Sequence, residues 1–193
     1  VMAMETAMLK YVMDYIRENY ANEIEILEAE VPVINEIPCV TLLEAKEILG
    51  NKGSGNKLDL EPEDEVSICE YAKEEFDSDF IFVTHFPSSK PPFYAMDSKE
   101  DPRLAYKFDL LFRGLEITSG GQRIHDYDEQ VAKMKAQGLN PDDFKYYLEA
   151  HKYGLPPHGG LGIGLERLVM KIINAQNIRT CSMFPRDINR LLP

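Results

Sequence analysis

Apolar residues recur at helical spacing over positions 2 to 20, where Met4, Met8, Tyr11, Val12, Tyr15 and Ile16 fall on one side and Lys10, Asp14 and Arg17 on the other. This predicts an amphipathic helix that turns its apolar side to a core. The segment IPCVTLLEAKEILG reads as a short strand followed by a helix. Thr41 is placed to cap that helix, Glu44 to complete a capping box, and Gly50 to stop it. GNKGSGNK is loop by composition. A further helix is predicted from Pro62 to Phe76, with Val66, Cys69, Tyr71, Ala72 and Phe76 as its apolar positions, and then a strand in DFIFVTHF. Pro87, Pro91 and Pro92 break the next stretch into a loop.

YKFDLLFRGLEITSGGQRIH reads as two strands joined by a turn at Arg113-Gly114, and DEQVAKMKAQG as a helix closed by Gly138. Asn140 caps and Pro141 opens the next helix, DDFKYYLEAHKYG, which stops around Gly154. A last helix, from about Gly164 to Asn174, begins directly behind a glycine-rich strand. Strands followed by capped helices, with a hairpin in the middle, predict an α+β fold with an antiparallel sheet flanked by helices. A doubly wound dinucleotide fold is disfavoured, because the glycine run lies near the C-terminus.

At 193 residues and 44% apolar composition the chain suits one globular domain with a real core. No apolar run approaches the roughly 20 residues that span a bilayer, and no signal-peptide layout opens the chain, so we expect a cytoplasmic protein without a membrane partner. Cys39, Cys69 and Cys181 are widely spaced and form no CxxC pair, which suggests buried free thiols rather than a disulfide framework or zinc site. The net charge of −12 argues against a main nucleic-acid grip here. The acid excess sits in the first half, so a polyanion is expected to meet the second half.

The hairpin carries the first candidate chemistry. With Arg113-Gly114 as a two-residue turn, Phe112 faces Leu115, Leu111 faces Glu116 and Asp109 faces Thr118. Asp109 and Glu116 then share one face as diagonal neighbours, and Phe108, Leu110, Phe112, Leu115 and Ile117 form the opposite, apolar face. Carboxylates at that spacing, roughly 7–8 Å between backbones, can converge on a hard cation such as Mg²⁺. The same spacing also fits solvated carboxylates, or carboxylates paired with Arg113 or Arg123. Ser119-Gly120-Gly121 marks a bulge or a close backbone approach; a bulge there shifts the alternation so that Arg123 joins Glu116. Arg123 could bind a ligand carboxylate bidentately, or simply neutralise Glu116 or Asp126.

In PPHGGLGIGLERLVMKII, glycines at 159, 160, 162 and 164 precede a helix whose inner face is Leu165, Leu168, Val169 and Ile172. Alternate glycines leave one strand face bare, so a flat ring can lie on the backbone. Arg167, in the first turn of the helix, aims back over that surface, and the helix N-terminus favours phosphate.

GLGIGLERL resembles motif 3 of the class II aminoacyl-tRNA synthetases. FDLLFRGLEITSGGQRIHDY, KYGLPPHGGLGIGLERLVM and FPRDINRLLP are similar to the aspartyl-tRNA synthetases of the archaeal and eukaryotic kind. The likeness is clearest over positions 79 to 193. It implies a class II catalytic sheet that binds ATP bent over the motif 3 strand. Gly160, Gly162, Ile163, Gly164 and Arg167 would contact ATP, with Asp109 and Glu116 holding Mg²⁺ against its phosphates. Arg123 matches the residue that recognises the aspartate side chain, and Ser119, Gly120, His158 and Gly160 line the amino-acid pocket. By the same resemblance Arg167 and Glu116 would be the catalytic residues. The implied reaction forms aspartyl-adenylate and then charges tRNA(Asp), with tRNA(Asn) left open as a second acceptor, in an enzyme that is a homodimer.

Motif 1, motif 2 with its ATP-binding arginine, and an N-terminal anticodon domain are missing from the sequence. Residues 1–193 are therefore expected to be the C-terminal portion of the catalytic domain, and inactive alone. Rival readings are an asparaginyl-tRNA synthetase, a related asparagine-synthesising paralogue, a non-catalytic paralogue that binds ATP or amino acid, and a scaffold whose acidic hairpin is mere surface. His85, His125 and His151 are assigned structural roles, and His158, beside the glycine strand, is the histidine expected nearest a ligand.

Overall fold

The computed structural model describes residues 1–90 and 92–190; Pro91 of the proline loop and Leu191 to Pro193 of the FPRDINRLLP run lie outside the described residues. One sheet holds β1 (Cys39–Thr41), β2 (Phe80–Thr84), β3 (Lys107–Phe112), β4 (Glu116–Arg123) and β5 (His158–Ile163), in that spatial order. The helices are α1 (Met2–Asn19), α2 (Ala21–Ile26), α3 (Leu42–Leu49), α4 (Pro62–Phe76), α5 (Tyr127–Ala136), α6 (Lys145–Lys152) and α7 (Leu165–Ile172). The short α2 has no counterpart in the sequence expectations. The fold is α+β as expected, but the sheet is mixed: β1 runs parallel to β2, while β2 to β5 are antiparallel. A parallel pair needs a long crossover, and α3 and α4 supply it between β1 and β2.

Each sheet face buries its own core. On one face Phe80, Phe82, Phe108, Leu110, Phe112 and Ile117 pack with Leu9 and Met13 of α1 and Leu168 and Ile172 of α7. On the other, Ile81, Val83 and Leu111 meet Leu42, Ala45 and Leu49 of α3 and Ile68, Cys69 and Ala72 of α4. This second helical layer covers only the β1 to β3 side, which leaves the polar face of β4 and β5 uncovered by α3 and α4.

Four expectations about burial are corrected. Helix α1 has the expected span, but its buried positions are Glu5, Leu9 and Met13, while Met4 and Tyr11 are 65% and 69% exposed. Both sides of α1 carry large apolar residues, so periodicity alone could not choose the face. Leu165 of α7 is exposed, because that helix turns Leu168 and Ile172 inward, and Val66 and Phe76 of α4 are exposed while Ile68 is fully buried. Of the cysteines, all free, only Cys69 is buried, and burial pushes its thiol up to about 12.

The first turn of α4 is held by Asp64, whose side chain is fully buried. It accepts from Glu61 N (3.0 Å), Ser54 N (2.8 Å), Ser54 Oγ (2.6 Å) and Lys46 Nζ (2.6 Å). Burial alone would raise the carboxyl's pKa, but these donors hold it well below the usual carboxylate range. A depressed folded-state value adds stability above the unfolded value of roughly 4, and that stability is lost as pH falls toward the folded value. Asp64→Ala is expected to lower the unfolding free energy by about 2–4 kcal/mol at pH 7. In urea denaturation the gap to wild type should narrow steadily below about pH 4.

Candidate functional site

The site is built on the uncovered polar face around the β3–β4 hairpin. Its turn is the expected one: Phe112 and Leu115 exchange backbone hydrogen bonds (2.8 and 3.2 Å), and Arg113 and Gly114 both have positive φ, as a type I′ hairpin turn needs. Leu111 pairs with Glu116 as expected, but Asp109 pairs with Ser119 rather than Thr118. Ile117 is the extra residue between the pairs Leu110–Thr118 and Leu111–Glu116. This bulge lets Glu116 and Ser119, three apart, share a face with Asp109, and the alternation from Ser119 through Gly121 then brings in Arg123. The bulge thus does what was expected of Gly120-Gly121, but at another residue.

Gly120 and Gly121 serve close approach instead. A Cβ on Gly120 would stand 2.5 Å from Phe108 Cζ, and one on Gly121 2.5 Å from the Tyr106 carbonyl oxygen. Strand β5 pairs its Gly162, Gly160 and His158 with Ser119, Gly121 and Arg123, so these residues share the polar face. A Cβ on Gly162 would meet nothing within 4 Å, and the bare backbone there is open to a ligand.

Asp109 is 4% exposed. Its Oδ2 accepts from Lys107 Nζ at 2.7 Å, while its Oδ1 is buried with no partner. Burial raises its pKa, with Lys107 and Ser119 pulling the other way. Burial first, and then the Asp109 charge, also push Glu116 up. Neither carboxylate is paired with Arg113, which instead meets Asp79 (3.3 Å) and Glu30 (3.5 Å). A buried carboxylate with an orphaned oxygen, and on the same face a second carboxylate that its charge raises, fit a shared divalent cation. Among the described residues no three His, Cys, Asp or Glu side chains cluster to hold a metal unaided, so such a cation would take other ligands from phosphate and water.

Arg123 has neither Glu116 nor Asp126 as a partner; among the described residues no carboxylate lies within ion-pair reach of it. Its guanidinium lies 4.6 Å from the Tyr94 ring centroid and rests on Gly160, where a Cβ would come within 3.1 Å of Nε. It borders a pocket of about 280 Å³ lined also by Tyr94, Ser119, Gly120, Gly160 and Gly162. Arg167 is exposed and donates from Nη1 to the Glu116 carbonyl oxygen at 2.7 Å, folding back over the hairpin as its place in α7 suggested. Gly164 caps α7, and Ile163 pairs with Thr118 on the opposite face of the strand.

His158 directs Nδ1 to the Pro156 carbonyl oxygen (2.9 Å) and borders a neighbouring cavity of about 540 Å³ with Lys107 and His85, not the Arg123 pocket. His151 is buried between the carbonyls of Tyr147 and Ile124, a structural role. The sequence reading missed Tyr94, Lys107 and Glu65. Lys107 was within reach of it, since residues two apart on a strand share a face. Nothing local to Tyr94 or Glu65 points across the chain to the hairpin.

An acidic hairpin, a guanidinium with no carboxylate partner among the described residues and a bare glycine strand feeding an arginine-bearing helix, on an α+β sheet, define a class II synthetase core. The chain belongs to the class II tRNA synthetases (D, K and N), whose family profile matches residues 1–188. It is 46% identical over 195 residues to the aspartate–tRNA(Asp/Asn) ligase of Thermus thermophilus, covering all of this chain and 46% of that protein. It is 42% identical over 186 residues to the aspartate–tRNA(Asp) ligase of Pyrococcus furiosus, covering 95% of this chain and 42% of that one. Among solved structures, the aspartyl-tRNA synthetase of Entamoeba histolytica superposes with a TM-score of 0.93 at 32% identity, over all of this chain and 41% of its own. The asparaginyl-tRNA synthetase of Pyrococcus horikoshii gives 0.86 at 31%, over all of this chain and 46% of its own. The chain thus spans a little under half the length of these relatives. Among the described residues no helix is long and apolar enough to cross a membrane.

Proposed function

We propose that this chain is the C-terminal portion of the catalytic domain of an aspartate–tRNA ligase that activates aspartate with ATP and transfers it to tRNA(Asp). The observation that carries this is Arg123: a cation with no carboxylate partner among the described residues, stacked on Tyr94 beside a pocket of about 280 Å³, is a ready partner for a small ligand's carboxylate. An asparagine side chain would leave that charge unmatched, which favours the aspartyl over the asparaginyl reading.

In this reading the aspartate side chain docks on Arg123, and its α-carboxylate is presented along β4 toward ATP. The adenine ring lies on the bare face of β5 at Gly160 and Gly162, and Arg167 supplies positive charge to the phosphates. A carboxylate oxygen of the substrate attacks the α-phosphorus, the bond to the bridging oxygen breaks, and pyrophosphate leaves. The tRNA 3′-terminal hydroxyl then displaces AMP. No protein nucleophile is required, so these residues act by positioning and charge neutralisation. Asp109 and Glu116 would hold Mg²⁺, which, when bound, neutralises charge on the triphosphate. The reading carries with it a homodimer and a cytoplasmic location, and leaves tRNA(Asn) as a second acceptor to be assayed. Aspartate-dependent ATP–pyrophosphate exchange by the full-length protein is the test; exchange driven by asparagine and not by aspartate would move the assignment to the asparaginyl branch.

A further inference from the structure

Glu116, which borders the bulge of the hairpin, is gripped from outside the sheet at both backbone groups. Its N–H, which points away from β3 because Leu111–Glu116 is the pair next to the hydrogen-bonded Phe112–Leu115, donates to Glu65 Oε2 at 3.0 Å. Its carbonyl accepts from Arg167 Nη1 at 2.7 Å. One grip comes from the first turn of α4 and the other from the first turn of α7, so the Glu116 peptide is clamped between two helices that sit on opposite faces of the sheet. A bulge is the weakest point of a ladder, and the direction of the side chain beside it follows the orientation of its peptide.

We propose that Glu65 is a positioning residue of the synthetase site: by accepting from the Glu116 N–H it holds the backbone that carries the Glu116 carboxylate on the face of Asp109, and so sets the affinity for the metal–nucleotide substrate. This rests on the function proposed above. Glu65 touches neither substrate nor metal. Its half-buried carboxylate also faces Arg167 and lies near Asp109 and Asp59, so its charge and its hydrogen bond must be separated by experiment.

Three variants of the full-length protein do so. Glu65→Ala removes the acceptor, Glu65→Gln keeps an acceptor oxygen without charge, and Glu65→Asp keeps the charge on a side chain one methylene shorter. Calorimetric binding of ATP in the presence of Mg²⁺ is the main readout, with binding in EDTA and KM for aspartate as references. Loss of a hydrogen bond to a sheltered N–H should weaken Mg²⁺–ATP binding about tenfold in Glu65→Ala and Glu65→Asp. Glu65→Gln should stay within about threefold of wild type, and binding in EDTA and KM for aspartate should move less than about twofold in all three. Should Glu65→Ala fail to fold, the Gln and Asp pair carries the comparison. Equal metal–nucleotide affinity in all the variants, or a loss in Glu65→Gln as large as in Glu65→Asp, overturns the positioning role. A wild type that binds no Mg²⁺–ATP overturns the function it rests on instead.

Discussion

Replacing Arg123 by lysine in the full-length protein is expected to remove most aspartate activation while leaving ATP binding nearly intact. The guanidinium is fixed by Tyr94 beneath it and by the absent side chain of Gly160 beside it, so its fork is already oriented toward the pocket. An ammonium on a flexible stem keeps the charge but neither the planar stacking nor the two parallel hydrogen bonds. Losing them should cost about 2–4 kcal/mol, or roughly thirty- to a thousandfold in kcat/KM for aspartate. Pyrophosphate exchange over a range of aspartate concentrations reads this directly. An unchanged aspartate dependence would remove Arg123 from the amino-acid site. Glu65, by contrast, should alter metal–nucleotide affinity and leave aspartate alone, so the two variants separate the two halves of the pocket.

The second large effect concerns the chain by itself. Residues 1–193 are expected to give no measurable aspartyl-adenylate under conditions in which the full-length protein does. Strand β5, Arg167 and the acidic pair supply one side of the proposed nucleotide site, and β5 is the last strand of the described sheet, with one edge unpaired. The relatives are more than twice as long as this chain, and the family resemblance assigns a second arginine clamp to motif 2, which is expected to lie outside residues 1–193. Removing one preorganised charge contact costs about 3–4 kcal/mol, a hundred- to a thousandfold in rate, and here several are missing together. The open edge should also favour self-association, visible as a concentration-dependent mass in sedimentation. Comparable exchange by the chain and the full-length protein at equal concentration would show that these residues form a complete site.

Much of the site was legible because its signals are local. Arg113-Gly114 forced the turn, the alternation on either side fixed Leu111 opposite Glu116, and Asp109 and Glu116 do share a face. Thr41 and Glu44 form the expected capping box on α3, and Pro62 opens α4 where it was expected to. The glycine pair was legible only as an alternative between a bulge and a close approach. Contacts to Phe108 and Tyr106, made across the ladder, decided for the approach.

The sequence by itself therefore determined the elements, the hairpin turn and the identity of the charged residues near it, since caps, turns and periodicity act within a few residues of one another. The tertiary structure decided which side of α1 is buried, because both sides are apolar and only packing against the sheet and α7 selects Leu9 and Met13. It also placed the bulge at Ile117, where no glycine marks it, and the Glu116 peptide there is held by Glu65 and Arg167, each 51 residues away along the chain. Neighbouring residues in sequence cannot encode such a contact; it forms only when two helices from distant segments close on the two faces of one sheet.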